Sequence, residues 1–349
     1  MSGATTNLLE VRGVSKTFML ASGIFRRDSG VVRALDEISF NVPAGSTVAL
    51  VGESGCGKST MGHVIMGGLS ADAGEIVFAD PEQGPVNLVG ASKDTLRHVR
   101  LNMQMIFQDP NASLNPRMRL FDLIAEPLVI NKVLSGRALE ERVVQLLEQV
   151  GLSPRYMWRH PHALSGGQRQ RVVIARALAL NPLLVVADEP ISALDVSIQA
   201  QTLNLLKDLQ LERNLTYLFI AHDLGVVNHF TDTAVVMYLG RVMETGVTRD
   251  VFPRPLNPYT EALIGSVPRI GGRKRGERRM VTAGEVPSAA NPPSGCHFHP
   301  RCPYAQDICR REVPALREIE PGRQSRCHFA ETLQLRGMSS EPAPGPIPA

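Results

Sequence analysis

At 349 residues, 43% of them hydrophobic and 20% charged, the chain has room for one large domain plus an appendage and the composition of an ordinary soluble globular protein. Its 37 Lys and Arg against 34 Asp and Glu leave a formal charge of +3, which excludes a generally basic surface for nucleic acid or lipid, so any basic site must be local. The start "MSGATTNLLEVRG" lacks the basic and then apolar runs of a secretory leader, and the longest apolar stretch is interrupted by Arg176, Asn181 and Pro182, so the expectation is a cytosolic chain that does not itself span a membrane.

In chain order, residues 7 to 19 and 31 to 51 are predicted to be strand-rich, with "PAG" as the turn before "STVALV" and residues 20 to 30 as a mobile loop. The strand "STVALV" leads directly into "GESGCGKST", which fits G-x-x-x-x-G-K-S/T between a strand and the helical "TMGHVIMGG". That order suits phosphate binding. Glycines let successive backbone N–H groups turn inward, and the helix N-terminus adds its positive end. Within Gly52, Glu53, Ser54, Gly55, Cys56, Gly57, Lys58, Ser59 and Thr60, Lys58 would face the β- and γ-phosphates and Ser59 would hold Mg²⁺.

From about residue 117 to 180 apolar residues recur at helical spacing, as in "ERVVQLLEQVG", predicting a helical insertion between strands. Inside it "LSGGQRQRVVIARAL" places Ser165, Gly166 and Gly167 before an Arg-rich helix, a second helix start suited to an anion. An ordinary capped helix would explain Ser165 alone. "LLVVADEP" then ends a buried strand in two acids, Asp188 placed for Mg²⁺ and Glu189 for orienting and polarising water. The helical "VSIQAQTLNLLKDLQLERN" and the strand "TYLFIAHD" follow, and strand, helix, strand implies parallel pairing and an α/β core.

After "NPYTEALIGSVP" the composition changes, and a boundary is expected near residue 255. "RKRGERR" reads as a solvated basic linker, because the tail lacks the interleaved aromatics of a base-stacking surface. Four of the five cysteines, Cys296, Cys302, Cys309 and Cys327, cluster here, and the final "SSEPAPGPIPA" reads as disordered. A cytosolic compartment disfavours disulfides, so the cysteines read as thiolate ligands of one metal centre. Their spacing lacks the paired knuckles usual around zinc, and four thiolates also suit a [4Fe–4S] cluster; His297, His299 and His328 would be spare ligands for Zn²⁺, and four reduced cysteines without metal are the plain alternative.

Taken together, these blocks resemble the ATPase subunits of ABC transporters over roughly residues 8 to 265, with "LSGGQ" matching that family's signature. The resemblance implies an ABC-type P-loop ATPase with an antiparallel β subdomain and a helical insertion at about 109–180 within 1–255, then a small Cys-rich extension at 256–335 and a tail at 336–349. It implies that Phe18 stacks on adenine, that Gln108 touches Mg²⁺ and senses the γ-phosphate, and that His222 is the switch histidine. It also implies that Asp195 belongs to the D-loop and that Ser165, Gly166, Gly167 and Gln168 cover the nucleotide of a second ATPase subunit. "QDPNASLNPRM", "NPYTEALIGSVP" and the C-x-F-x-x-R-C tail narrow the resemblance to dipeptide and oligopeptide importers, in some of which such a tail holds an iron–sulfur cluster. The implied partners are a second ATPase, paralogous or identical, two membrane permeases and, indirectly, an extracytoplasmic peptide-binding protein, with the chain peripheral on the cytoplasmic face. Nickel, glutathione and sugar importers use similar subunits, and a soluble ABC protein acting on ribosomes or DNA is the alternative of another class.

Overall fold

A computed structural model describes residues 6–19, 31–266 and 285–338. The mobile-loop expectation for 20–30, the basic linker and all but the first residues of the expected tail lie outside them. The chain divides into two compact units that it enters more than once: residues 1–16, 39–48 and 59–221, and residues 17–38, 49–58 and 222–349.

The first unit holds most of β1 (Asn7–Met19), the end of β2 (Val31–Pro43) and the start of β3 (Thr47–Val51). Helix α1 (Lys58–Ile65) follows, then β4 (Ala73–Asp80), β5 (Gly84–Asn87), α2 (Lys93–Asn102) and β6 (Met103–Ile106). One sheet runs β2-β1-β4-β5, in which β4 is antiparallel to both β1 and β5. Leu9, Val11, Ile76 and Phe78 alternate inward across β1 and β4, as a sheet buried on one face requires. The hairpin β4–β5 was not foreseen in the sequence.

The expected helical stretch consists of α3 (Pro110–Ser113), α4 (Leu120–Ile130), α5 (Gly136–Gln149) and α6 (Gly166–Ala177), with two short 3₁₀ turns between α5 and α6. Helix α4 packs on α5 and α6, and Leu123, Ile124, Val143, Leu146 and Ile174 of these helices are buried. Next come β7 (Leu184–Asp188), α7 (Val196–Arg213) and β8 (Thr216–Ala221). Strand β7 pairs in parallel with β6 on one side and β8 on the other, and every residue of β7 and β8 is buried. Such fully covered parallel strands explain why their sequences run apolar rather than alternating.

In the second unit α8 (Leu224–Phe230) precedes β9 (Thr233–Tyr238) and β10 (Arg241–Val247), a hairpin whose two turn residues, Leu239 and Gly240, both have positive φ. Helices α9 (Thr248–Val251), α10 (Pro258–Ser266) and α11 (Asp307–Arg311) and strands β11 (Arg317–Glu320) and β12 (Arg323–Ser325) complete it, and the strands run β11-β12-β10-β9. Tyr238, Tyr259 and Phe298 are fully buried at its centre, with ring centroids 4.5 to 5.5 Å apart. Among the described residues no helix is long and apolar enough to cross a membrane.

Candidate nucleotide site and cysteine cavity

Two of the loop glycines are imposed by close approach. Gly52 stands at φ 153°, where a Cβ would collide with the Met237 carbonyl, and Gly57 at φ 109°, where it would collide with the Ala34 carbonyl. The β9–β10 turn supports the loop from behind, with the Gly240 N–H donating to the Cys56 carbonyl at 3.0 Å. Lys58 is buried, and its ammonium donates to the carbonyls of Gly52 at 2.8 Å and Glu53 at 3.1 Å. The Glu53 N–H donates to the Tyr259 hydroxyl at 2.9 Å. Lys58 thus lies buried within the loop's own backbone, a cation held at a phosphate-binding motif.

In the first unit Ser59 is the second residue of α1, and its hydroxyl donates to Asp188 Oδ1 at 3.1 Å. Asp188 closes β7 and is 5% exposed. Glu189 follows at φ 46°, an uncommon conformation for a residue with a side chain. Its N–H donates to the Ile220 carbonyl at 2.9 Å, and its carboxylate accepts from Gln108 Nε2 at 2.9 Å. Residues 81 positions apart thus face one another.

The signature helix begins with a complete capping box: Ser165 accepts from the Gln168 N–H at 3.3 Å, and the Gln168 side chain accepts from the Ser165 N–H at 3.1 Å. The two glycines differ. A Cβ on Gly167 would lie 2.6 Å from Ile198 Cγ2, so packing favours that glycine, whereas a Cβ on Gly166 would only touch Leu194 at 3.9 Å. Asp195 is exposed at the start of α7 and its side chain makes no cap, Phe18 is 37% exposed on β1, and His222 is exposed just after β8.

The four tail cysteines converge on one cavity of the second unit, with Phe298 and Phe329 as its apolar walls. Gly295, at φ 64°, allows this, because a Cβ there would collide with the Cys309 carbonyl that receives the Cys296 N–H at 2.8 Å. The Phe329 N–H donates to Cys327 Sγ at 3.4 Å. Burial pushes the Cys302 thiol up to about 12 and the Cys327 thiol up to about 11, and neighbouring sulfurs add to both shifts. His299 and His328 also reach the cavity wall, but each has a ring nitrogen engaged with a backbone carbonyl, of Cys296 and Glu312 respectively. Among the described residues no three His, Cys, Asp or Glu side chains are disposed to hold a single metal ion.

The sequence did not disclose the residues that brace the loop. Tyr238, Tyr259 and Arg301 lie far along the chain from Glu53, and no local pattern marks them.

Comparison with known proteins places these observations in a family. The ABC transporter model matches residues 35–192, and the model for the C-terminal region of oligopeptide/dipeptide transporters matches residues 243–309. The oligopeptide transport ATP-binding protein AppF of Bacillus subtilis is 50% identical over 326 residues, covering 92% of this chain and 97% of the relative. The di/tripeptide transport ATP-binding protein DppF of Pseudomonas aeruginosa is 47% identical over 324 residues, covering 93% and 98%. Among solved structures, the dimeric ATP-binding cassette MJ0796 in a post-hydrolysis state with ADP and Pi aligns at a TM-score of 0.60 and 29% identity, covering 69% of this chain and 99% of that one. With its phosphate loop, its Asp188–Glu189 strand end and its capped signature helix all in place, this chain belongs to the ATP-hydrolysing subunits of the ABC transporters, in the oligopeptide/dipeptide branch.

Proposed function

We propose that this chain energises the import of di- and oligopeptides, as one of two ATPase subunits, identical or paralogous, on the cytoplasmic face of the membrane beneath two permeases fed by an extracytoplasmic binding protein. The observation that carries the reading is the pairing of Ser59 with Asp188 and of Gln108 with Glu189 at the ends of adjacent elements. Relatives named for peptide transport supply the substrate class. Mg-ATP, when bound, supplies the phosphoanhydride that water cleaves. Lys58 and the loop N–H groups bind its phosphates, Ser59 and Asp188 hold Mg²⁺ directly or through water, and Phe18 stacks on the base. Glu189 orients and polarises the water, and Gln108 fixes the Glu189 carboxylate while reaching the metal. His222 sits at the end of the same strand group to respond to the γ-phosphate. Ser165 through Gln168, with Asp195, face the nucleotide of the partner subunit.

Mixing Ser165→Arg chains with Lys58→Ala chains tests the shared site, since a mixed dimer carries one doubly damaged site and one intact. Partial recovery of ATPase activity is expected, and demonstrated mixed dimers without recovery would refute the sharing. Absence of any dimer would show that the partner is a paralogue. Co-purification with permeases rather than with ribosomes or DNA tests the transport role.

For the extension we propose that Cys296, Cys302, Cys309 and Cys327 hold a [4Fe–4S] cluster whose role is structural. All four sulfurs line one cavity, which supports a shared centre. A cluster places each thiolate on a different iron, and the spacing of the four cysteines lacks the paired knuckles usual around zinc. Anaerobically purified protein is expected to be brown, with broad absorption near roughly 400 nm that dithionite bleaches. A colourless protein holding one equivalent of zinc, or no metal, would overturn the assignment.

A further inference from the structure

Glu53 is the only acidic side chain of the loop from Gly52 to Thr60. A carboxylate there repels the polyanion the loop must receive, so its presence calls for a compensating partner. Arg301 provides one. Its guanidinium grips the carboxylate with two parallel bonds, Nη1 to Oε2 at 2.7 Å and Nη2 to Oε1 at 2.8 Å. The Arg301 side chain is 7% exposed and that of Glu53 27%, so solvent screens the pair little. Nη1 also donates to the Tyr238 hydroxyl at 3.3 Å, and the guanidinium carbon lies 5.7 Å from the Tyr238 ring centre and 5.8 Å from that of Phe298. Phe298 in turn meets edge-on both Tyr238 and Tyr259, whose hydroxyl receives the Glu53 N–H. Every polar group of Glu53 is therefore fixed: its carbonyl by Lys58 and the Cys56 N–H, its N–H by Tyr259 and its carboxylate by Arg301.

We propose that Arg301 is a positioning residue for ATP binding: by clamping Glu53 it cancels the acidic charge of the phosphate loop and fixes the loop's first turn. Arg301 sits one residue before Cys302, so the segment that carries the cysteines also sets the affinity of the loop for nucleotide. The fork geometry matters as well as the charge, because a point cation cannot make both bonds along one plane. The inference rests on residues 52–60 being the ATP site.

Titration of the full chain with a fluorescent ATP analogue tests it, using the wild type, Arg301→Ala, Arg301→Lys, Glu53→Gln, the Arg301→Ala/Glu53→Gln double variant and Lys58→Ala. Arg301→Ala is expected to weaken binding about tenfold or more, raising KM for ATP well beyond any change in kcat, because it leaves an uncompensated carboxylate beside the phosphates. Arg301→Lys should fall between it and the wild type. In the Glu53→Gln background the same Arg301→Ala change should cost much less, since there is no charge left to expose. Equal losses in the two backgrounds would mean that Arg301 merely supports the fold, and wild-type affinity of folded Arg301→Ala would also overturn the proposal. If Arg301→Ala does not fold, Arg301→Lys binding as tightly as the wild type would refute it. A wild type that binds the analogue no better than Lys58→Ala would refute the ATP site itself rather than the clamp.

Discussion

The phosphate loop and the cysteine cavity bring their lining groups together by opposite means. The loop gathers them along the chain: Gly52 to Thr60 are consecutive, and the work is done by backbone N–H groups held in place by glycines that carbonyls crowd from behind. The cavity gathers them across the chain, from sulfurs spread over residues 296 to 327 and joined only by folding. The first arrangement rests on Lys58, on Ser59 and on the crowded glycines Gly52 and Gly57, where any side chain would collide. On the proposed reading the second depends on every donor, because a cluster would lend the segment stability through all four thiolates.

The sharpest way to break this comparison is Glu189→Gln, which keeps the shape and the Gln108 partner but removes the charge that polarises water. Turnover should fall by about a hundredfold or more while Mg-ATP binding persists, measured as phosphate release against bound nucleotide. Near-normal turnover would remove Glu189 from the chemistry. Lys58→Ala comes next and should do the reverse, weakening nucleotide binding on the order of tenfold or more because the buried cation facing the phosphates is gone. Cys302→Ser probes the other region. It should abolish the roughly 400 nm absorption and lower the melting temperature by several degrees, with each of the other three cysteine variants behaving alike. Unequal effects among the four would break the idea of a single centre.

The smallest effect expected is one of pH. Burial pushes the Glu244 carboxyl up to about 7, against the opposing pull of the Thr260 hydroxyl, the Leu256 N–H and the Arg323 guanidinium. A carboxyl raised in the folded state binds its proton more tightly there than when unfolded, so its contribution is full below its ordinary range and fades as pH rises through about 7. Between about pH 5 and about pH 8 the wild type should therefore lose stability relative to Glu244→Gln, by a degree or more in melting temperature. Parallel curves would mean that the pair with Arg323 outweighs burial.

How much of this was legible in the sequence follows from the same distinction. β3, the loop and α1 form one continuous signal, and β7 and β8 announce themselves as short apolar runs, because each is decided by neighbours in the chain. Asp188 and Glu189 gained their meaning from the loop, and the structure brings Asp188 to Ser59. The β4–β5 hairpin escaped notice because Gly74, Gly84 and Pro85 interrupt its alternation. Strands as short as β6, β11 and β12 are decided by pairing rather than by propensity. Cysteine clustering and convergence were legible, but not the Phe298 and Phe329 walls around them. The Arg301–Glu53 clamp spans 248 positions, and the Tyr259 contact 206, so neither could be read from spacing.

The central claim is that ATP hydrolysis at this site drives peptide uptake. Its most direct test is uptake of a labelled dipeptide and a labelled oligopeptide by cells whose only copy of this chain is wild type, Glu189→Gln or absent. Uptake of at least one of the two with the wild type, and its loss in both other strains, is the result expected. Undiminished uptake of both peptides in the Glu189→Gln strain, with the protein present at wild-type level, would contradict the account.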